Sequence, residues 1–229
     1  MQPHELNLPI PEIIPVNPAP AQKAGRSLRI ASVRHPVRAE LERFIEQQFA
    51  SAFDASLPNH YPLIAFIEAD GKPIAAAGVR FAELGPLFLE RYLDEALEQQ
   101  IAGAFGRPTA RDAIVEIGSL ATNSPAAALE LFEALSYWLR RAAGQRFAVA
   151  TLGPDLARML QRLGFCMKRL AAAEPRRLGN EAASWGRYYD RAPAVFGGRI
   201  PDLNPGAQFA ATQAKTRQRA SNLRRTSAQ

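Results

Sequence analysis

The chain has 229 residues, 47% of them hydrophobic, and its 28 basic and 22 acidic side chains leave a formal net charge of +6. That is enough apolar material for one domain with a sizeable core, and it makes a second domain unneeded. The lone cysteine, Cys166, excludes an internal disulfide, and no window approaches the roughly 20 apolar residues of a membrane-spanning helix.

The N-terminal stretch 1–26 is rich in proline and lacks periodicity, which predicts an irregular arm. Its opening residues lack the charged start and continuous apolar run of an export signal, so a cytoplasmic location is the expectation. Leu28 to Val33 alternates like a first strand, and Pro36 opens a helix to about Phe53, with Val37, Leu41, Phe44, Ile45 and Phe49 on one face. Tyr61 to Glu68 and Pro73 to Phe81 flank an Asp70-Gly71 turn, a hairpin signal. Leu87 to Phe105 reads as one helix, and Ala113 to Ala121 as a strand that is apolar except for Glu116 and Ser119.

Thr122 to Pro125 is a polar turn into a helix over 126–143 that ends at Gly144. A short strand (Phe147 to Leu152), a short helix (Asp155 to Leu163) and a strand (Cys166 to Ala172) follow, with Cys166 expected as a buried thiol. Trp185 to Tyr189 and Ala194 to Ile200 read as further extended pieces. From Gln208 to Gln229 there are five basic residues (Lys215, Arg217, Arg219, Arg224, Arg225) and no acid, so most of the net charge sits in an aperiodic tail. The folded part is then near neutral, which argues against a specific nucleic-acid face; contact with an anionic membrane surface would fall to that tail.

The order β-α-β-β-α-β-α-β-α-β predicts an α/β chain of the α+β type, a mixed sheet flanked by helices over 27–200, between the 1–26 arm and the 201–229 tail. Glu116, alone among apolar neighbours in mid-strand, is either a functional base with its pKa raised by burial or a carboxylate that faces a partly wet edge or pairs with an arginine. Tyr188 and Tyr189 are candidates for proton donation or for lining a pocket, with packing as the alternative. No His/Cys/Asp/Glu group has metal-ligand spacing, and no phosphate-binding Walker loop or nucleophile elbow is present.

The run 113–165 resembles the acyl-CoA-binding core of GNAT-superfamily acyltransferases: strand, tight turn, helix, strand, short helix, then Leu163-Gly164-Phe165. In that superfamily a turn and helix N-terminus hold the pyrophosphate of CoA. The matching window here is Asn123-Ser124-Pro125-Ala126-Ala127-Ala128, with Asn123 in place of a basic residue and Ala126 in place of a glycine. Leu160 stands where many members carry a tyrosine that protonates the leaving thiolate. Four further stretches are similar to the thermostable hemolysin family: 89–93, Val115 to Ala121, Arg162 to Phe165, and Ala173 to Leu178 followed by Trp185 to Tyr189. That family in turn resembles N-acyl-homoserine-lactone synthases.

The resemblance implies an acyltransferase moving an acyl group from acyl-CoA or an acyl carrier protein to a small amine, with no tightly bound cofactor. It implies Glu116 as base, Tyr188 or Tyr189 as acid, and a thioester held by Leu120, Ala121 and the 123–128 turn. Arg34, His35, Gly118, Ser119 and Trp185 would shape the substrate site. The alternatives are a membrane-active hemolysin or a protein that binds an acyl ligand without turnover.

Overall fold

The computed structural model describes residues 27–57, 59–162 and 164–201; the N-terminal arm and the basic tail lie outside them, so no membrane contact through the tail can be read. Seven strands form one mixed sheet in the order β1-β2-β3-β4-β5-β7-β6. β1 (Leu28–Ala31), β2 (Leu63–Ala69), β3 (Lys72–Phe81) and β4 (Ile114–Thr122) are antiparallel neighbours. β4 and β5 (Phe147–Leu152) are parallel, as a crossover through a helix requires, and β7 (Ala194–Arg199) inserts antiparallel between β5 and β6 (Met167–Ala172). This is the mixed sheet with flanking helices that the element order predicts.

Alternation along the strands sends side chains to two faces. Leu63, Ala65, Ile67, Ala75 and Ala77 pack with Leu131 and Leu135 of α3 (Pro125–Arg141). Ile64, Phe66 and Ala76 point the other way, onto Leu41, Ile45 and Phe49 of α1 (Arg38–Phe53). On that second face, α2 (Leu97–Phe105) places Leu97 and Ile101 over Ile114, Val149 and Val195. α4 (Pro154–Arg162) adds Ala157 and Leu160 beside Phe132 and Leu152. Phe66, Leu131 and Leu135 are fully buried, each worth about 1.5–3 kcal/mol of apolar transfer.

Three expectations need correction. Leu87 to Phe105 is not one helix: Phe88–Tyr92 is a 3₁₀ turn, Leu93 and Ala96 are extended, and α2 starts at Leu97. The amides of Phe88 and Leu89 bond a carboxylate of β4, and Arg111 grips Glu90 and Glu98, so side-chain anchors override the helical period. Trp185 to Tyr189 is not extended. It joins two 3₁₀ stretches, Pro175–Trp185 and Tyr188–Arg191, through Gly186 at φ +50°. A Cβ on Gly186 would sit 2.3 Å from the Phe53 carbonyl oxygen, so the chain there lies against the end of α1. Cys166 is exposed rather than buried, because it precedes the edge strand β6 and alternates outward between the half-buried Phe165 and Met167.

Two local features build the site. β4 and β5 pair only from Ile114↔Phe147 to Glu116↔Val149 and then part. Across from that opening, β4 pairs with β3 at Gly78↔Gly118 and next at Ala76↔Ala121. β4 therefore carries one residue more than β3 between these pairs, a bulge at Ser119–Leu120, with Ser119 at φ +47°. The bulge turns Leu120 toward the α3–α4 side and leaves Gly118 and Ala121 on the α1 side.

Candidate functional site

A cavity of about 280 Å³ opens where β4 and β5 part. Its walls come from both faces of the sheet, so it passes through the layer. On the α1 side it is aromatic, lined by Phe49, Phe53, Tyr61, Phe88, Trp185 and Tyr188. On the α3–α4 side it is mostly aliphatic, with Ile117, Leu120, Ala150, Leu152, Leu160 and Phe196. Gly118 and Ser119 form the passage between the two.

Glu116 lies directly behind this passage and is 1% exposed. Its two oxygens accept hydrogen bonds from the amides of Phe88 (2.9 Å) and Leu89 (3.0 Å), and the Tyr61 phenol lies beside the same carboxylate. Arg80 is its partner across the strands. Burial pushes the Glu116 carboxyl above the usual carboxylate range, against the pull of those amides, Arg80 and Tyr61. The carboxylate is thus opposed across the strands by an arginine while burial raises its proton affinity. Glu116 itself is not on the cavity wall; Tyr61 is, and stands between the carboxylate and the space.

Tyr61 is the residue that sequence reasoning missed. Its ring lies across a slot made by two cross-strand glycines. A Cβ on Gly78 would come within 2.4 Å of the ring, and one on Gly118 within 2.1 Å of the hydroxyl oxygen. Arg38, 7% exposed on α1, donates to the carbonyls of Tyr61 (2.6 Å) and Pro62 (3.3 Å) and to Glu42 (2.7 Å). The Arg80 guanidinium stacks 5.1 Å from the ring centre. Burial first, and Glu116 second, push the Tyr61 phenol well above its ordinary value, so it stays neutral. The available signal was glycine inside a strand, which marks a close approach, but the pairing of Gly78 with Gly118 depends on register.

Tyr188 lines the cavity and donates to the Thr151 carbonyl (3.2 Å), with its phenol raised by burial. Tyr189 does not line it; its hydroxyl pairs with that of Tyr92 at 2.5 Å. Trp185 lies edge-on to Phe49 and tilted against Phe88 and Tyr188. Its indole nitrogen and the Thr151 hydroxyl are buried without a partner among the described residues, and both residues line the cavity. Arg34 and His35 lie in the turn after β1, off the cavity wall; His35 accepts the Val37 amide and packs edge-on to Phe66.

The turn into α3 is closed on itself. Ser124 caps the helix, accepting the Ala127 amide through its hydroxyl (3.2 Å) and the Ala128 amide through its carbonyl (3.1 Å). The Ser124 amide bonds the Thr122 hydroxyl, the Asn123 amide bonds Ile74, and Pro125 has no N–H. Of the first-turn amides, these contacts leave Ala126. No group of three His, Cys, Asp or Glu side chains that could hold a metal exists among the described residues.

The thermostable hemolysin profile matches residues 31–203, most of the chain. The chain belongs to the thermostable hemolysin family. A comparison with curated protein sequences finds no match. Among solved structures, this thermostable hemolysin family protein is similar to BjaI, a CoA-dependent acyl-homoserine lactone synthase crystallised with SAM and isopentyl-CoA. The identity is 13%, with 82% of this chain and 90% of that one covered, at a TM-score of 0.57. TofI in an apo form gives 15% identity, 80% and 95% coverage and a TM-score of 0.54. FeeM, an N-acyl amino acid synthase from uncultured soil microbes, gives 13% identity, 77% and 92% coverage and 0.53. These likenesses establish the fold alone, a GNAT-like mixed sheet flanked by helices. No helix among its described residues is long and apolar enough to cross a membrane, whatever the family's name implies.

Proposed function

We propose that this protein is an acyltransferase that moves an acyl group from a thioester donor to a small amine. The observation that carries the reading is the cavity through the parted β4 and β5 strands, with the buried Glu116 carboxylate directly behind it. The aliphatic lobe suits an acyl chain, and the aromatic lobe suits the acceptor. Between them, strand backbone freed by the parting and turned by the bulge at Ser119 is placed to bond the thioester carbonyl near Leu120 and Ala121. Glu116, its proton affinity raised by burial, serves as the base for the amine's proton from behind the cavity wall rather than by direct contact. The named activities of BjaI and FeeM, both acyl-transferring synthases, support the class of chemistry.

The donor is a substrate rather than a resident cofactor. The self-capped turn at 122–128 offers few free amides to a pyrophosphate, which favours an acyl group on a carrier protein over acyl-CoA. Glu116→Gln is expected to lower turnover at least ~100-fold, the usual scale for losing a general base, while binding of the acyl donor persists. Turnover within twofold of the wild type would remove Glu116 from the reaction.

A further inference from the structure

The acyl-transfer reading leaves two proton transfers to place. The amine loses a proton as it attacks, and the departing thiolate gains one. Glu116 does not reach the cavity, and the wall at Leu160 offers only an aliphatic side chain. One hydroxyl is built into the gap. The Tyr61 ring fits the Gly78–Gly118 slot, its backbone carbonyl is clamped by Arg38, and its hydroxyl lies against Gly118, two residues along the strand from Glu116 and on the same face, while the residue forms part of the wall beside the bulge. A side chain used only for packing needs neither the paired glycines nor a buried carboxylate partner.

We propose that Tyr61 is the catalytic residue that handles both protons, with Glu116 acting through it. This rests on the acyl-transfer reading. As the amine nitrogen bonds the thioester carbonyl carbon, its proton passes to the Tyr61 oxygen and the Tyr61 proton passes to the Glu116 carboxylate. When the C–S bond breaks, Tyr61 gives a proton to the thiolate and recovers one from Glu116. The sum is thioester plus amine to amide plus thiol, and the dyad ends as it began. The remaining neighbours suit a neutral relay. Arg80 opposes Glu116 and stacks on the Tyr61 ring, Tyr188 is the other phenol facing it, and the Phe88 and Leu89 amides hold the carboxylate from behind. A phenol kept neutral by burial conducts a proton without becoming a phenolate. The substrate this machinery takes is a primary amine presented from the aromatic lobe.

The test is Tyr61→Phe, which keeps the ring in its slot and removes only the oxygen. Expected results are a kcat lower by ~100-fold or more, a KM for the acyl donor within about threefold, and loss of the acid limb of the pH–rate profile. The double variant Tyr61→Phe/Glu116→Gln should be no slower than the slower single one, because the two residues act as a unit. Gly118→Ala keeps the hydroxyl but displaces it, and should slow turnover as well. If Tyr61→Phe keeps wild-type kcat and pH profile, or if the two single losses multiply, the relay is overturned while acyl transfer stands. A wild-type protein that transfers no acyl group removes both.

Discussion

A carboxylate buried to 1% exposure costs several kcal/mol unless its lone pairs are used. At Glu116 they are used by two backbone amides, and this has a consequence for the usual isosteric replacement. In Glu116→Gln an NH₂ group must face either the Phe88 or the Leu89 amide, donor against donor. The variant should therefore stay folded but lose about 1–3 kcal/mol, the cost of one unsatisfied buried amide, as read by urea unfolding. Unchanged stability would mean that the 3₁₀ turn is not held by this carboxylate. The same residue shows what a sequence reveals at this scale. An acid in an apolar run is conspicuous, and Glu116 stands out. Tyr61 does not, because its meaning depends on two glycines brought opposite each other by strand pairing. Tyr188 and Trp185 were visible as an aromatic cluster and do line the cavity, whereas Tyr189 turns to Tyr92.

At the level of elements, periodicity located nearly every strand and helix, since burial on two faces needs alternation in strands and a 3.6-residue stripe in helices. It misread Leu87–Phe105 because Leu89, Tyr92, Leu93 and Leu97 keep a helical spacing while the backbone is tied to Glu116 and Arg111 instead. The bulge was legible only as a glycine in a strand, and the parting of β4 from β5 was not written in either strand alone. α3 carries its own prediction. Burial, with Glu130 one turn away, pushes the Glu133 carboxyl up from its usual 4.5 to about 7. The folded state thus holds this proton more tightly than the unfolded chain, so the contribution is full below pH 4.5 and is lost as pH rises toward 7. Glu133→Gln should raise the melting temperature at pH 8 relative to wild type and change it little at pH 4.5. An equal shift at both pH values would show that the group titrates normally.

For the whole molecule, the fold places a cavity where a single parallel pair interrupts an otherwise antiparallel sheet. One side of that cavity is mostly aliphatic, with Phe132, Phe165 and Phe196 among its lining, and the other mainly aromatic, with a buried acid beside a phenol at the junction. Such a division fits two substrates meeting inside a sheet better than it fits a surface that disrupts a bilayer. The composition already argued for one domain without a spanning helix, but the meeting of the two lobes needed the three-dimensional arrangement. The most direct measurement is product analysis by mass spectrometry. The full-length protein would be incubated with a medium-chain acyl carrier protein or, separately, the matching acyl-CoA, each with a panel of primary amines that includes amino acids and SAM. The account predicts an amide and free thiol in equal amounts, faster with the carrier protein, and nearly abolished in Tyr61→Phe. Intact thioester and no amide with every donor and amine would contradict it.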